Sequence, residues 1–404
     1  MKIIILNSHP IQYFTPLYKY GSANSGDLEV WYCSDESLKG NYDPGFSKKI
    51  KWDIDLLQGY NYRFFKNSSP KPSIHNGFFG LINLGIIKAL FKEPKSIVII
   101  HGWGYVTHVL TIIFAKMFGH EVALRAETPN KQEDLKPRLL TRLKHLYLRF
   151  LFLFVKTFLY IGQENKQFYL RLGQKGKKFI FAPYSVDNER FQQESNQLSK
   201  SEAKAFLNIP QQSFAILFCG KYIDKKRPLD LLKAFKLANV TTSVLVLLGE
   251  GELRQEIEEY IQNQQLQNNV ILTGFINQSD LYKYYKAADV FVMCSGLGET
   301  WGLSVNEAMN FGLPLIISDT TGCASDLVKS NGYIFPTGDI AKLAYFIQKM
   351  SNSNIEKRMV MAAESLRIIN NYSFQVIIEN LKKLINTNNG CEGDSNINLK
   401  SNKQ

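Results

Sequence analysis

The sequence predicts an α/β protein made of two doubly wound, Rossmann-like domains that face each other across a cleft. Three observations support this fold class. Short apolar runs of strand length alternate with helix-length segments through most of the chain. A polar stretch near the middle interrupts the alternation, which then restarts. The 404 residues, 45% of them hydrophobic, suffice for two cores, because a single core stops growing near about 250–300 residues.

The polar interruption defines the predicted domains. We predict an N-terminal domain over residues 1–190, a linker over 191–202 and a C-terminal domain over 203–371. A helix follows over 372–386, and the Asn-, Gly-, Ser- and Lys-rich residues 387–404 are predicted to be a disordered tail. Because ligands of open α/β sheets bind at the carboxyl ends of the strands, the cleft is the expected site.

The predicted strands are apolar runs bounded by polar or glycine-containing turns. The first domain has six: Lys2–Leu6, Leu28–Tyr32, Ser96–His101, Glu121–Arg125, Thr157–Gly162 and Lys178–Ala182. The second also has six: Phe214–Cys219, Ser243–Leu248, Val270–Gly274, Val290–Cys294, Leu315–Ser318 and Tyr333–Phe335. Helices are predicted between the strands and at the end, including Pro228–Ala238, Leu253–Gln264, Ile355–Asn371 and Ser373–Asn386.

The composition argues against several classes of protein. The five cysteines are far apart and form no C-x-x-C pair, which disfavours a zinc ribbon, a thioredoxin-type site and a disulfide framework. The first apolar run ends at Asn7 and is too short for a signal peptide. No run reaches the ~20 apolar residues of a membrane span. We therefore expect a cytoplasmic protein.

The positive charge is confined to the first half of the chain. Residues 1–190 hold 27 Lys and Arg against 15 Asp and Glu, whereas residues 191–404 hold 21 of each. The densest part, Lys136–Lys156, has six basic residues, no acid and many large apolar residues. Two interpretations stay open: an amphipathic helix on the inner face of an anionic membrane, or a helix packed on its own sheet with a solvated basic stripe. Without a zinc-finger spacing or a basic–aromatic RNA motif, nucleic acid is not expected as a partner.

The most informative segment is 295–309, which follows an apolar strand and opens a helix. Glu299 falls in the loop and Glu307 in the helix, so the two carboxylates are about 10 Å or more apart. This separation is wide for the acid–base pair of a glycosidase, so we expect them to anchor opposite ends of one extended ligand. The free backbone amides near Trp301–Ser304 are suited to binding phosphate.

A lysine-rich loop follows the first strand of the second domain. It places Lys221 and Lys226 five residues apart at the carboxyl end of the sheet. Such a loop alone is more often only solvated. Combined with the helix terminus and the two carboxylates, however, it implies a ligand with a diphosphate in the middle and hydroxyls at both ends. A sugar nucleotide fits that description.

These residues also carry a family resemblance. Glu299, seven residues and then Glu307, followed by Ala-Met-Asn-Phe-Gly-Leu-Pro, resemble the hallmark of family 4 retaining glycosyltransferases of GT-B fold. The resemblance extends over about residues 1–386, and in that family the last helix crosses back to the N-terminal domain. Three further segments look like family motifs in the expected order: Gly220-Lys221 with Lys226-Arg227, Gly249-Glu250-Gly251, and Gly274-Phe275.

The resemblance implies roles for these residues. Glu307 would accept hydrogen bonds from ribose hydroxyls, Lys221 and Lys226 would neutralise the departing diphosphate, and Glu299 would hold hydroxyls of the transferred sugar. Fixed cations at the leaving group lower the barrier, and neither a metal nor a cofactor is expected. The implied donor-binding set is Glu307, Thr300, Trp301, Gly302, Leu303, Ser304, Gly249, Gly274 and Phe275.

The first domain offers further candidates. His101 ends a strand, and its family counterpart contacts the donor sugar, so it joins the catalytic candidates; the alternative is a histidine that only caps backbone groups. His9, Arg125 and Glu127 are the candidates on the acceptor side. Two features depart from the family: Lys221 replaces the usual Arg, and the first loop lacks paired glycines, so we expect no phosphate contact from that loop.

Together these features predict a metal-independent, retaining glycosyltransferase. It would move a hexose or N-acetylhexosamine from a nucleotide-diphosphate sugar to a glycan or lipid-linked glycan acceptor. Retention is implied by the resemblance alone, because no nucleophile is identifiable in the sequence. Two alternatives stay open: another GT-B enzyme such as a sugar-nucleotide epimerase, and a non-catalytic binding or assembly subunit that keeps the fold.

Overall fold

The computed structural model of the chain describes residues 1–40, 42–43, 45, 48–49 and 53–388. Two parallel β-sheets, each with helices on both faces, confirm the predicted α/β fold class. Of the predicted tail, residues 389–404 lie outside the described part of the chain, and the preceding two residues belong to the last helix. None of the helices in the described part has the length and apolar run needed to cross a membrane.

The N-terminal sheet has seven parallel strands in the order β5-β2-β1-β6-β7-β8-β9. These strands are β1 (Ile3–Asn7), β2 (Leu28–Tyr32), β5 (Asn61–Phe64), β6 (Ile97–His101), β7 (Glu121–Arg125), β8 (Thr157–Tyr160) and β9 (Lys178–Phe181). A separate antiparallel pair consists of β3 (Tyr42–Asp43) and β4 (Lys48–Lys49). The helices are α1 (Thr15–Ser25), α2 (Leu84–Lys92), α3 (Val106–Met117), α4 (Asn130–Glu133), α5 (Arg138–Leu151), α6 (Gln163–Arg171) and α7 (Asn188–Glu194).

The C-terminal sheet has six parallel strands in the order β12-β11-β10-β13-β14-β15. They are β10 (Phe214–Cys219), β11 (Ser243–Leu248), β12 (Val270–Gly274), β13 (Val290–Met293), β14 (Leu315–Ser318) and β15 (Gly332–Phe335). The helices are α8 (Lys200–Phe206), α9 (Pro228–Ala238), α10 (Arg254–Asn263), α11 (Leu281–Ala287), α12 (Leu303–Asn310), α13 (Ala324–Leu327), α14 (Ile340–Ser351), α15 (Ile355–Ile369) and α16 (Phe374–Asn388).

The structure contains all twelve predicted strands, with ends within two residues of the prediction. Strand β5 was not predicted, because it lies at the sheet edge and exposes its first three residues, so it lacks the apolar signature of a buried strand. The predicted linker is partly helical. A capping box starts α8, where the Ser199 side chain accepts from the Glu202 backbone N–H and the Glu202 side chain accepts from the Ser199 backbone N–H.

The last helix, α16, crosses back to the N-terminal domain, as the resemblance implies. It packs against α1 and β9 through a buried apolar stripe with the spacing of one helix face: Ile377, Ile378, Leu381 and Leu384. The Asn380 side-chain amide donates to the Phe181 carbonyl at 2.9 Å. The apolar stripe and this hydrogen bond hold the end of the chain on the first domain.

Polar side chains also join the two domains near the cleft. Asn306 on α12 donates to the Tyr184 carbonyl at 2.9 Å. Asn310, one turn further along α12, donates to the Asn188 side chain at 2.9 Å. Both asparagines are buried, so each hydrogen bond satisfies a group that would otherwise lose its water without compensation. Helix α12 is therefore fixed against the segment that leaves the first domain.

Candidate active site

The carboxyl ends of strands from both sheets surround a cleft of about 660 Å³. This volume is in the usual range for a small-molecule site. The second domain contributes Lys221, Lys226, Glu299 and Glu307 to its walls, and the first contributes His9. Among the described residues, no group of three or more His, Cys, Asp and Glu side chains is placed to bind a metal ion.

The floor of the cleft is built from three closely packed turns that follow β10, β11 and β12. The Gly220 N–H donates to the Leu248 carbonyl at 2.9 Å, and the Gly249 N–H donates to the Gly274 carbonyl at 3.1 Å. A Cβ on Gly249 would lie 1.9 Å from the Gly220 carbonyl oxygen, so only glycine fits there. Gly249 and Phe275 line the cleft, whereas Gly274 is not among the lining residues and supports Gly249 from behind.

Helix α12 points its amino terminus into the cleft. The helix begins at Leu303, so its free backbone amides include those of Leu303 and Ser304. These are the last two residues of the stretch Trp301–Ser304 that was predicted to bind phosphate. Gly302 precedes the helix with φ of +99°, and a Cβ there would lie 2.7 Å from the Met293 sulfur. Thr300, Trp301 and Ser304 complete this part of the wall.

The Glu307 carboxylate is fully buried, at 1% exposure. Two phenols donate to it, Tyr13 from the first domain at 3.1 Å and Tyr285 from the second at 2.6 Å. Burial raises the pKa of Glu307 above its usual value, against the opposing effect of the two hydroxyl donors. The carboxylate therefore lies where the two domains meet, without a cation in contact with it in the described structure.

The Glu299 carboxylate forms an ion pair with Lys226. Both side chains are largely buried. Burial acts to raise the pKa of Glu299, but the ammonium groups of Lys226 and Lys225 outweigh it and hold this pKa below its usual value. The structure thus joins two residues that were predicted to have separate roles, and it adds Lys225, which also lines the cleft.

Gln132 is a site residue that the sequence analysis missed. It lies on α4 of the first domain, is 2% exposed, and spans the domain interface. Its side-chain amide donates to the Glu299 carbonyl at 2.8 Å and to the Thr320 carbonyl at 2.9 Å, and its carbonyl oxygen accepts from the Gly298 N–H at 3.0 Å. Two of these bonds fix the backbone of the loop that carries Glu299, and the third joins Gln132 to the loop of Thr320.

The histidines of the first domain differ in position. His9 lines the cleft, and burial lowers its pKa to about 4, so its ring is neutral at physiological pH. Its Nδ1 lies 2.9 Å from the Ser8 hydroxyl oxygen. His101 is not among the residues that line the cleft. Its ring packs edge-on against that of Phe14, with 4.9 Å between the ring centres. Burial, aided by the Arg125 charge, lowers the pKa of His101 well below its usual value.

Arg125 and Glu127 also lie behind the cleft wall. Arg125 is 5% exposed, and its guanidinium carbon lies 4.9 Å from the centre of the Phe14 ring and 4.5 Å from that of Tyr184. It pairs with Glu127 at 3.1 Å, and Glu127 also accepts from the Tyr184 hydroxyl. Tyr184 lines the cleft, so this pair supports the wall through it. Direct contact of the pair with an acceptor stays a prediction.

The fold is that of a two-domain GT-B protein with a cleft between its two sheets. Anabaena HepE, solved in complex with UDP, superposes with a TM-score of 0.72 at 15% identity, covering 96% of this chain and 100% of HepE. This likeness shows the fold.

Residues 199–366, somewhat less than half of the chain, match the family described as Glycosyl transferases group 1. The chain is 28% identical over 215 residues to the Escherichia coli UDP-Gal:alpha-D-GlcNAc-diphosphoundecaprenol alpha-1,3-galactosyltransferase, covering 51% of this chain and 54% of that protein. It is 25% identical over 226 residues to the Bacillus subtilis poly(glycerol-phosphate) alpha-glucosyltransferase, covering 55% of this chain and 31% of that one. The matches thus span about half or less of these relatives.

Proposed function

We propose that this chain is a retaining glycosyltransferase of family 4 that needs no metal. It transfers a hexose or N-acetylhexosamine from a nucleotide-diphosphate sugar to a glycan or lipid-linked glycan. One observation carries the proposal: a single cleft contains, along the length of one ligand, a buried carboxylate at Glu307, a helix amino terminus with lysines, and a second carboxylate at Glu299. That order matches the ribose, the diphosphate and the sugar of such a donor.

The donor binds with its ribose at Glu307. A carboxylate has about four acceptor positions, and the phenols of Tyr13 and Tyr285 use two of them. The ribose diol therefore binds to the remaining positions or replaces the longer bond, which comes from Tyr13. The diphosphate then lies against the amides of Leu303 and Ser304, with Lys221 beside it.

Glu299 and Lys226 act at the transferred sugar and its leaving group. In the same-face displacement that we propose, the bond from the sugar C1 to the diphosphate oxygen breaks as the acceptor oxygen bonds to C1. The acceptor proton passes to the diphosphate oxygen. Lys226 and the amides of α12 stabilise the charge that builds up on the diphosphate, and Glu299 holds sugar hydroxyls. The ion pair fixes Lys226 in place before the donor arrives.

The relatives support the substrate classes in this proposal. The name of the E. coli relative describes a UDP-galactose donor and a diphosphoundecaprenol-linked acceptor. HepE was solved with UDP. A uridine-diphosphate donor is thus the first to test, together with a lipid-linked glycan as acceptor.

The test is thermal stabilisation by a panel of nucleotide sugars, followed by turnover of the donor that binds best. Saturating donor raises the melting temperature in proportion to the logarithm of its concentration over Kd. We expect one donor class to stabilise the protein and to be hydrolysed slowly without an acceptor, with activity unchanged by excess chelator. Release of an altered free sugar would instead indicate an epimerase, and binding without turnover of any donor would indicate a non-catalytic subunit.

A further inference from the structure

Helices α2, α3 and α5 lie side by side on one face of the N-terminal sheet. Leu90, Ile112 and Leu148, one from each helix, belong to the same core cluster as the strands beneath them. Together the three helices contain seven Lys or Arg residues and no Asp or Glu. Six of the seven are exposed, so the solvent-facing side of these three helices is strongly positive.

Most of the large apolar residues of α5 are exposed. Only Leu148 and Leu151 of this helix are buried. Five others are each at least 57% exposed, namely Leu139, Leu140, Leu143, Leu146 and Phe150. Phe91 at the end of α2 and Met117 at the end of α3 extend the exposed apolar area, at 72% and 66% exposure. Exposed leucines in this number on one helix mark an interaction surface rather than an ordinary protein surface.

The basic side chains of α5 fall into two groups. Lys144 and His145 turn inward and bind the buried Glu133, at 2.9 and 3.0 Å. Arg138, Arg142 and Arg149 are exposed, and within the part of the chain that the structure describes they have neither a hydrogen bond nor an ion pair. The exposed arginines therefore stand among the exposed leucines, available to a partner outside the chain.

We propose that this surface, the outer face of α2, α3 and α5, binds to an anionic phospholipid bilayer. The leucines and Phe150 insert at the boundary between headgroups and acyl chains, and the arginines bind the headgroup phosphates. A second copy of the chain fits less well, because a symmetric dimer would bring two positive surfaces together. A soluble polyanion would pair with the arginines but leave the leucines in water.

The surface is also linked to the cleft. Glu133, held by α5, is the neighbour of Gln132, which fixes the loop of Glu299. A lipid-linked sugar delivered from the bilayer would therefore enter close to that loop. The proposed docking on the bilayer does not depend on the proposed function. The choice of a membrane-borne acceptor, in contrast, rests on the proposed glycosyl transfer.

The test is co-sedimentation of the full chain with vesicles of phosphatidylcholine, with and without phosphatidylglycerol. We expect binding to the anionic vesicles that weakens with salt. Leu139→Gln with Leu143→Gln should lower the partition coefficient by about tenfold or more. Arg142→Gln with Arg149→Gln should lower it by about 30-fold and reduce the salt dependence. The matched control, Leu237→Gln with Met359→Gln, removes two leucine-sized exposed side chains from the second domain and should change nothing.

Three results would overturn the proposal: no binding to anionic vesicles, equal loss in the control variant, or a stable dimer in light scattering that Leu139→Gln with Leu143→Gln dissociates. Unchanged melting temperatures verify that the variants fold. The thermal shift with nucleotide sugar is measured without vesicles, so its failure contradicts the glycosyl transfer and leaves the membrane surface standing.

Discussion

Glu299 and Glu307 are eight residues apart in one loop and helix, yet their surroundings are opposite. Glu299 pairs with Lys226, and the cations hold its pKa below the usual value. Glu307 has two phenols as donors, and burial raises its pKa. One motif can thus supply two carboxylates with different tasks, because their partners from other parts of the chain set the electrostatics of each.

Both carboxylates depend on the domain interface. Glu307 receives Tyr13 from the first domain, and the loop of Glu299 is held by Gln132, also from the first domain. The second domain thus supplies the acidic groups, and contacts from both domains fix them. In our account Glu307 serves donor binding and Glu299 serves the sugar and the transfer step, so variants at the two positions should fail in different ways.

The largest effect is expected for Glu299→Gln. This change removes the sugar contact and leaves Lys226 without its partner, so kcat/KM for transfer should fall by about 10²–10³. Steady-state kinetics with saturating acceptor measures it. The affinity for the nucleoside diphosphate alone serves as the control and should stay within about threefold of wild type. Equal losses of kcat/KM and of nucleoside diphosphate affinity would show that Glu299 and Glu307 do not bind different parts of the donor.

Glu307→Gln should come second. Loss of the charged acceptor for the ribose diol should weaken donor binding by about 1.5–3 kcal/mol, roughly 10- to 100-fold.

The same substitution should leave the stability of the fold unchanged or increase it. The folded-state pKa of Glu307 is raised, so its contribution to stability is complete at low pH and is lost as pH rises through that pKa. A neutral Gln at pH 7 should therefore keep or raise the melting temperature, and a large drop would argue against this sign.

Gln132→Ala should have a smaller effect, confined to the Glu299 side. Three hydrogen bonds to the Glu299 loop and to Thr320 disappear, so we expect kcat/KM to fall about tenfold while nucleoside diphosphate binds as before. Gln192→Ala is the matched control, because Gln192 donates to Asn310 and Asn370 away from Glu299. Equal losses in the two variants would reduce Gln132 to a general interface contact.

The smallest effect concerns pH. The ordinary pKa of a glutamate is 4.5. As the pH is lowered, Glu307 gains its proton at a pH above this value, whereas Glu299 keeps its charge to a pH below it. Nucleoside diphosphate affinity should therefore begin to fall at a pH above 4.5 as the pH is lowered, and the fall should be shallower in Glu307→Gln. Calorimetry of both proteins with the same ligand removes the ligand's own titration from the comparison. Parallel profiles would contradict the raised pKa of Glu307.

The sequence predicted what is encoded locally. Strand-length apolar runs identified twelve of the thirteen strands in the two large sheets, and the spacing of Glu299, Glu307 and Lys221 identified one side of the cleft. It missed the partners that come from far away. Tyr13 lies 294 residues from Glu307, and Gln132 lies 167 residues from Glu299, so no local pattern connects them.

The sequence also left the position of α5 open. Its arginines (Arg138, Arg142 and Arg149) form one stripe and apolar residues fill most of the remaining surface, so periodicity alone does not tell how much of the apolar side packs on the sheet. The structure packs α5 on the first domain through Leu148 and Leu151, and it leaves Leu139, Leu140, Leu143, Leu146 and Phe150 exposed. Which side of a helix is buried depends on the strands and helices beneath it.

The most direct test of the central claim is a crystal structure of the chain with UDP or GDP. Our account predicts ribose hydroxyls within hydrogen-bond distance of Glu307, and the diphosphate between Lys221 and the first amides of α12. A nucleotide bound elsewhere, or one whose phosphates lie away from both the lysine and the helix terminus, would contradict the account.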